Sequence, residues 1–267
     1  MRLDDCRGFV FDVDGTLVHR SGSEAHVQPG ALEVLAKIRA SGRPLALFTN
    51  GTHETPESFA AGLRRAGLEI ADEEMLTPLR SLQTYLRIHD GGVLPFANDS
   101  AREYLARAGV RVLAGEDAEH ADVVFVATPE ALEFEELERG ARAVLAGAQL
   151  LTASYAPAYA GANGPIISRG AMTTAALAKA SSTEPLIVGK PSEAALETIS
   201  EQLGVPTAEV AVIGDDLGMD IALGRLGGAR TILVQTGISG RVELDDVAPD
   251  LRPDAVVGSV ADLLDWL

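Results

Sequence analysis

Two carboxylates stand on alternate positions in Asp12-Val13-Asp14-Gly15-Thr16, directly after the apolar run Gly8-Phe9-Val10-Phe11. Alternate residues at a strand end face the same way. An Asp in such a place often caps a helix or makes a turn, yet the next helix start, Pro29-Gly30, comes fifteen residues after Asp14. The pair is therefore not taken up by helix donors. A second cluster, Phe48-Thr49-Asn50-Gly51-Thr52, offers a hydroxyl, an amide and backbone N–H groups able to cradle an oxyanion. A plain turn uses the same residues. Gly189-Lys190-Pro191-Ser192 places a cation ahead of a helix whose N-terminus also favours anions. Lys190 is not a Walker lysine, because Glu184 to Val188, with Pro185, supplies no opening glycine. Gly214-Asp215-Asp216-Leu217-Gly218-Met219-Asp220 adds three carboxylates, with Asp216 and Asp220 one helical turn apart.

If Asp12, Asp14 and Asp215 meet, each pair of charges ~4 Å apart repels by roughly 4 kcal/mol at an effective dielectric near 20. A divalent cation offsets that repulsion. An all-oxygen site suits Mg2+ better than zinc, which favours His or Cys. The five histidines, His19, His26, His53, His89 and His120, show no ligand spacing and read as surface or loop residues.

The elements that must position these groups follow from the apolar pattern. Gly8 to Phe11, Pro44 to Phe48, Leu186 to Val188 and Val210 to Ile213 read as buried strands, each followed by a polar cluster. Helical patterns run over Ala31 to Ala40, Pro56 to Ala66, Glu193 to Leu203 and Asp216 to Leu226. Strand and helix in alternation predict an α/β fold, a parallel sheet covered on both faces. Reactive side chains then gather beyond the carboxyl ends of the strands. The middle of the chain has its own βα rhythm, with runs at Gly92 to Ala97, Val110 to Leu113, Asp122 to Val126 and Gln149 to Thr152. Small-residue stretches at Asp90-Gly91-Gly92 and Ser181-Ser182-Thr183 read as hinges. The organisation predicted is a Rossmann-like core over residues 1–90 and 184–267, with an α/β cap inserted at about 91–183.

Composition narrows the partners. With 22 basic against 39 acidic residues the net charge is -17, which repels a polyanionic duplex and makes nucleic acid an unexpected partner. Every apolar run is broken well short of a membrane span. One cysteine, Cys6, allows no internal disulfide, and the charged opening lacks a secretory pattern, so a reducing cytoplasm is expected.

Phe-Asp-Val-Asp-Gly-Thr-Leu, Phe-Thr-Asn-Gly, Gly-Lys-Pro and Gly-Asp-Asp-x-x-x-Asp, in that order, resemble the haloacid dehalogenase superfamily of phosphohydrolases. The insertion between the second and third motifs is similar to the type IIA cap of the NagD-like, para-nitrophenyl phosphatase and phosphoglycolate phosphatase branch. The resemblance implies a phosphatase for a small phosphorylated metabolite. In it Asp12 attacks phosphorus to form an aspartyl-phosphate, and Asp14 serves as acid and then base. It also implies Mg2+ held by the Asp12 carboxylate, the Asp14 backbone carbonyl and Asp215, with Asp216 or Asp220 supporting. Thr49, the Asn50 and Gly51 backbone and Lys190 would stabilise the phosphoryl oxygens. Caps of this kind often pair subunits, which implies a homodimer through the cap.

Gly51 stands where that branch commonly has a second Asn, Met219 where it has Thr, and Thr152 to Ala156 where relatives carry Asn-Pro-Asp. The stretch Val18 to Gln28 is longer than usual and carries His19, Arg20, Ser23, Glu24 and His26, as a flap over the site or a surface turn. Tyr155, Tyr159, Asn163, Ser168 and Arg169 are the cap's candidates for leaving-group contacts. The rival readings are a receiver-like phospho-acceptor, a phosphomutase or dehalogenase on the same scaffold, and a silent binding protein. Asp14 argues against the dehalogenase, which needs neither this acid nor Mg2+.

Overall fold

The computed structural model describes residues 2–21, 24–159, 166–240, 245 and 247–267. They form two compact units, one of Met1–Thr49, Pro56–Leu76 and Lys190–Leu267 and the other of Asn50–Thr55 and Thr77–Gly189.

The first unit is built on β1 (Gly8–Phe11), a hairpin of β2 (Val18–Ser21) and β3 (Glu24–Val27), β4 (Leu45–Phe48), β5 (Met75–Leu76), β6 (Val210–Gly214), β7 (Arg230–Val234) and β8 (Ala255–Val257). Six of these make one sheet in the order β8-β7-β6-β1-β4-β5, and every adjacent pair is parallel. Parallel pairing requires crossovers, which place helices on both faces. α1 (Ala31–Ala40) and α2 (Pro56–Arg65) cover one face, where Val34, Leu35, Phe59 and Leu63 pack with Phe9 and Phe11. α3 (Glu193–Leu203) and α4 (Ala222–Leu226) cover the other through Leu196, Ile199 and Leu223, against Val10 and Val212. α1 buries Ala31, Val34, Leu35 and Ile38, the i, i+3, i+4, i+7 spacing of one helix face. β1 and β6, at the middle, are buried at every residue, so their polar successors Asp12 and Asp215 emerge at the sheet's carboxyl edge.

The second unit holds its own parallel sheet, in the order Leu186–Ile187, Gln149–Thr152, Val123–Val126, Gly92–Phe96, Arg111–Val112. The helices Asp99–Arg107, Phe134–Leu145 and Arg169–Ser181 belong to it.

Two expectations about the boundary change. Leu186–Ile187 is not a strand of the first unit's sheet: it pairs with Gln149–Thr152 through Leu186↔Leu151 and Ile187↔Thr152, and both its residues are partly open to solvent. The helix Pro78–Leu86 packs on Asp99–Arg107 within the second unit. The unit therefore takes in Thr77–Gly189 together with Asn50–Thr55, where 91–183 is expected from sequence, because hydrogen bonding and packing rather than small-residue composition set its edges. Within the Val18–Gln28 stretch, β2 and β3 pair antiparallel, rooted by Gly15 N–H donating to Val18 O and Gln28 N–H to Leu17 O, both at 2.8 Å. Among the described residues no helix is long and apolar enough to cross a membrane.

Candidate active site

β1 ends by passing its ladder on to Asp12, whose N–H donates to Ile213 O at 2.8 Å. That bond sets the Asp12 backbone beside the end of β6, one residue before Gly214-Asp215. The two acidic clusters, some two hundred positions apart in sequence, thus meet through strand pairing. Carboxylate oxygens of Asp12, Asp215 and Asp220 lie within 4.8 Å of one another.

Lys190, just ahead of α3, reaches into this cluster. Its Nζ donates to Asp12 Oδ1 and to Asp220 Oδ1, each at 2.6 Å. The Lys190 and Asp220 side chains are 2% exposed and that of Asp12 13%, so the ammonium is sealed below and only Asp12 opens toward solvent. The Phe48 ring lies under the ammonium, 5.7 Å to its centroid, a further favourable contact for a cation. Burial pulls the Lys190 ammonium toward the neutral form, but Asp12 and Asp220 outweigh it and hold its pKa above the ordinary lysine value.

Asp220 organises the floor. Its Oδ2 accepts from the N–H groups of Asp215 and Asp216, both at 3.1 Å. With Oδ1 on Lys190, both of its oxygens are engaged. Asp216 does something different: its Oδ1 caps the turn Leu217–Ile221 by accepting from Gly218 N–H at 2.7 Å and Met219 N–H at 3.1 Å. Of the two support residues expected from sequence, Asp220 faces the cluster, while Asp216 is held as a helix cap. Burial first, then the Asp220 charge, raises the Asp216 carboxyl.

Asp215 is buried, and Ile238 N–H donates to its Oδ2 at 2.6 Å. Burial and then Asp220 push its pKa up to about 6. Burial likewise drives Asp12 well above the usual carboxylate range, with Lys190 opposing and Asp220 and Asp215 reinforcing the rise. Burial leads both shifts, and the crowding of Asp12, Asp215 and Asp220 around one ammonium adds to them. The donor set is hard oxygen, the spacing is tight, and Asp12 and Asp215 each keep an oxygen beyond those bonded to Lys190 and Ile238. These residues fit a divalent cation. Asp14 is exposed, two residues beyond Asp12, and Thr49 is buried at the end of β4, its N–H donating to Leu76 O at 3.2 Å.

The loop after β7 was not anticipated from sequence. Thr236 Oγ1 donates to Gly15 O at 2.6 Å, Ser239 N–H to Asp215 O at 3.1 Å, and Leu217 N–H to Ser239 Oγ at 3.2 Å. A Cβ on Gly237 would overlap the Asp215 carboxylate, so Gly237 lets the loop wrap that side chain. The available signal was Gln235-Thr236-Gly237 after the apolar run Ile232-Leu233-Val234, the same strand-then-polar pattern as the other clusters.

Asn50 and Gly51 fall to the second unit, as do the cap candidates. There Tyr155 and Tyr159 are exposed, Ser168 caps a helix by accepting from Ala171 N–H at 3.1 Å, and Arg169 donates to Glu130 O at 2.9 Å. Asn163 lies outside the described residues.

Residues 9–111 match the family described as haloacid dehalogenase-like hydrolase, and residues 187–263 match one described as HAD-hydrolase-like. The chain is 28% identical over 258 residues to ribonucleotide monophosphatase NagD of Escherichia coli (strain K12), covering 96% of this chain and 98% of that protein. It is 24% identical over 242 residues to 5'-nucleotidase YutF of Bacillus subtilis (strain 168), covering 90% and 91%. Among solved structures, p-nitrophenyl phosphatase from Archaeoglobus fulgidus is similar with a TM-score of 0.87 at 27% identity, covering 98% of this chain and 100% of that one.

Proposed function

Since this chain belongs to the haloacid dehalogenase-like hydrolases and is a NagD-like phosphoric monoester hydrolase, we propose that it works with Mg2+ and through a phosphoryl group carried on Asp12. The observation that carries this reading is the placement of Lys190 between Asp12 and Asp220, both at 2.6 Å. It fixes one oxygen of Asp12 and leaves the other outside that bond, available as a nucleophile.

In the first half-reaction that second oxygen bonds to phosphorus as the ester P–O bond breaks, and Asp14 gives its proton to the departing alkoxide. In the second, Asp14 takes a proton from water, the water oxygen bonds to phosphorus, and the Asp12–phosphorus bond breaks to release inorganic phosphate. Exposure suits Asp14 to exchange protons at the mouth, and the Asp12 and Asp220 carboxylates beside Lys190 keep it charged against its burial. Lys190, the Thr49 hydroxyl and the Asn50-Gly51 backbone of the same motif are assigned to the phosphoryl oxygens. The Asp12 and Asp215 carboxylates and the Asp14 backbone carbonyl would hold Mg2+, which supplies positive charge against the phosphoryl group.

The relatives' names, a ribonucleotide monophosphatase and a 5'-nucleotidase, support nucleoside monophosphates as the first substrates to try. Tyr155, Arg169 and Asn163 are assigned to the leaving group. The exposed Phe134, Ile167 and Met172 of the second unit support a homodimer through that unit, which light scattering tests directly. A cytoplasmic location rests on Cys6, buried and unpaired.

The test is phosphate release across a panel of phosphorylated metabolites, with and without Mg2+, with Asp12→Asn as the blank. Metal-dependent release that vanishes in the variant is expected. Turnover without metal, full activity in Asp12→Asn, or transfer of the phosphoryl group to a second hydroxyl in place of water would overturn the reading.

A further inference from the structure

The sequence separates His19 from His26 by seven positions, a spacing that matches no helical or zinc-finger ligand pattern. The hairpin brings them together. β2 and β3 are antiparallel in the register Val18↔Val27, His19↔His26, Arg20↔Ala25, Ser21↔Glu24. Residues directly opposite in such a pair project from the same face with Cβ atoms about 4.5–5.5 Å apart. Which face that is follows from the alternation. Val18 is fully buried, and Val27 and Ala25 pack against the first unit's core, so the positions between them turn outward. Both His19 and His26 are exposed. The pair lies two positions from the hairpin root, where Gln28 N–H donates to Leu17 O at 2.8 Å, so its backbone spacing is held at the anchored end of the ribbon.

We propose that His19 and His26 form a two-imidazole site for a borderline divalent cation such as Zn2+ or Ni2+, distinct from the carboxylate cluster. Imidazole nitrogen suits Zn, Ni and Cu, whereas carboxylate, carbonyl and water suit Mg. The first unit therefore carries two donor sets of opposite preference. Two protein ligands leave the remaining coordination positions to water, so binding is of modest affinity and reversible.

The test is calorimetric titration of ZnCl2, and separately NiCl2, into the full-length chain without an affinity tag and with Mg2+ in excess to occupy the carboxylates. One site per chain is expected. His19→Gln and His26→Gln should each weaken it at least about tenfold, and His120→Gln, an exposed histidine of the other unit, should leave it unchanged. Binding that persists in both hairpin variants, or that disappears instead in Asp215→Asn, overturns the proposal. A second readout needs no variant: imidazole NMR signals of the wild-type chain should shift on Zn2+ addition for His19 and His26. Shifts confined to other histidines, or none at all, contradict the site.

Discussion

Lys190 Nζ donates to Asp220 Oδ1 at 2.6 Å, and each side chain is 2% exposed. A charge this deeply enclosed is stable only while its partners remain. Removing one member of a buried pair costs about 3–5 kcal/mol, because the other is left buried and unpaired. Lys190→Met should therefore lower the unfolding free energy by that order, read from urea melts, and abolish phosphate release. A variant that folds with wild-type stability would show that the ammonium is not what holds the two carboxylates.

Asp216 and Asp220 are both acidic and close in sequence, yet they should behave oppositely. Asp216→Ala removes a helix cap, which costs about 1 kcal/mol, and should leave kcat within a few-fold of wild type. Asp220→Ala removes the acceptor for Lys190 and for the N–H groups of Asp215 and Asp216, and should reduce kcat by orders of magnitude. Steady-state kinetics beside thermal melts separate the two. Equal losses of activity would contradict the division of roles.

Gly237→Ala should act through the metal. Its added methyl meets the Asp215 carboxylate and must displace either that side chain or the loop donating to it through Ile238. The Mg2+ concentration for half-maximal activity should rise more than KM for the phosphate ester. A variant with unchanged metal dependence would place Asp215 outside the cation site.

The raised Asp215 pKa, about 6 from burial and the Asp220 charge, sets the sign of a pH effect. A carboxyl raised on folding adds stability that is complete below its unfolded pKa, near 3.9, and is lost as pH rises through the folded value. Asp12 is raised in the same direction. The metal-free protein should thus lose stability from about pH 4 to about pH 7, and Mg2+ should raise Tm more at about pH 7.5 than at about pH 5. A Tm gain that is equal at both, or larger in acid, contradicts a cation seated on these carboxylates.

Much of the site was legible because its parts are local. Asp12 follows an all-apolar β1, α1 runs over the residues its periodicity marks, and the four polar clusters stand in order along the chain. What was not legible depended on pairing between distant segments. Leu186–Ile187 has the same apolar character as the core strands, and only its bonding to Gln149–Thr152 assigns it to the other sheet. Asp216 and Asp220 are equivalent on a helical wheel, and the Leu217–Ile221 turn, wound wider than an α-helix, makes one a cap and the other a partner of Lys190. His19 and His26 became a pair only through hairpin register. The Thr236–Ser239 loop gave a weak signal, since a glycine after a strand is equally what an ordinary turn uses.

The claim on which the rest depends is that Asp12 carries the phosphoryl group, and acid quenching during turnover with excess substrate tests it most directly. Peptide mass spectrometry of the quenched protein should place a phosphoryl group, or the homoserine left after borohydride reduction of an acyl phosphate, at Asp12 and nowhere else. Label at another residue, or its absence from Asp12 when Asp14→Asn has been used to slow hydrolysis of the intermediate, would contradict it.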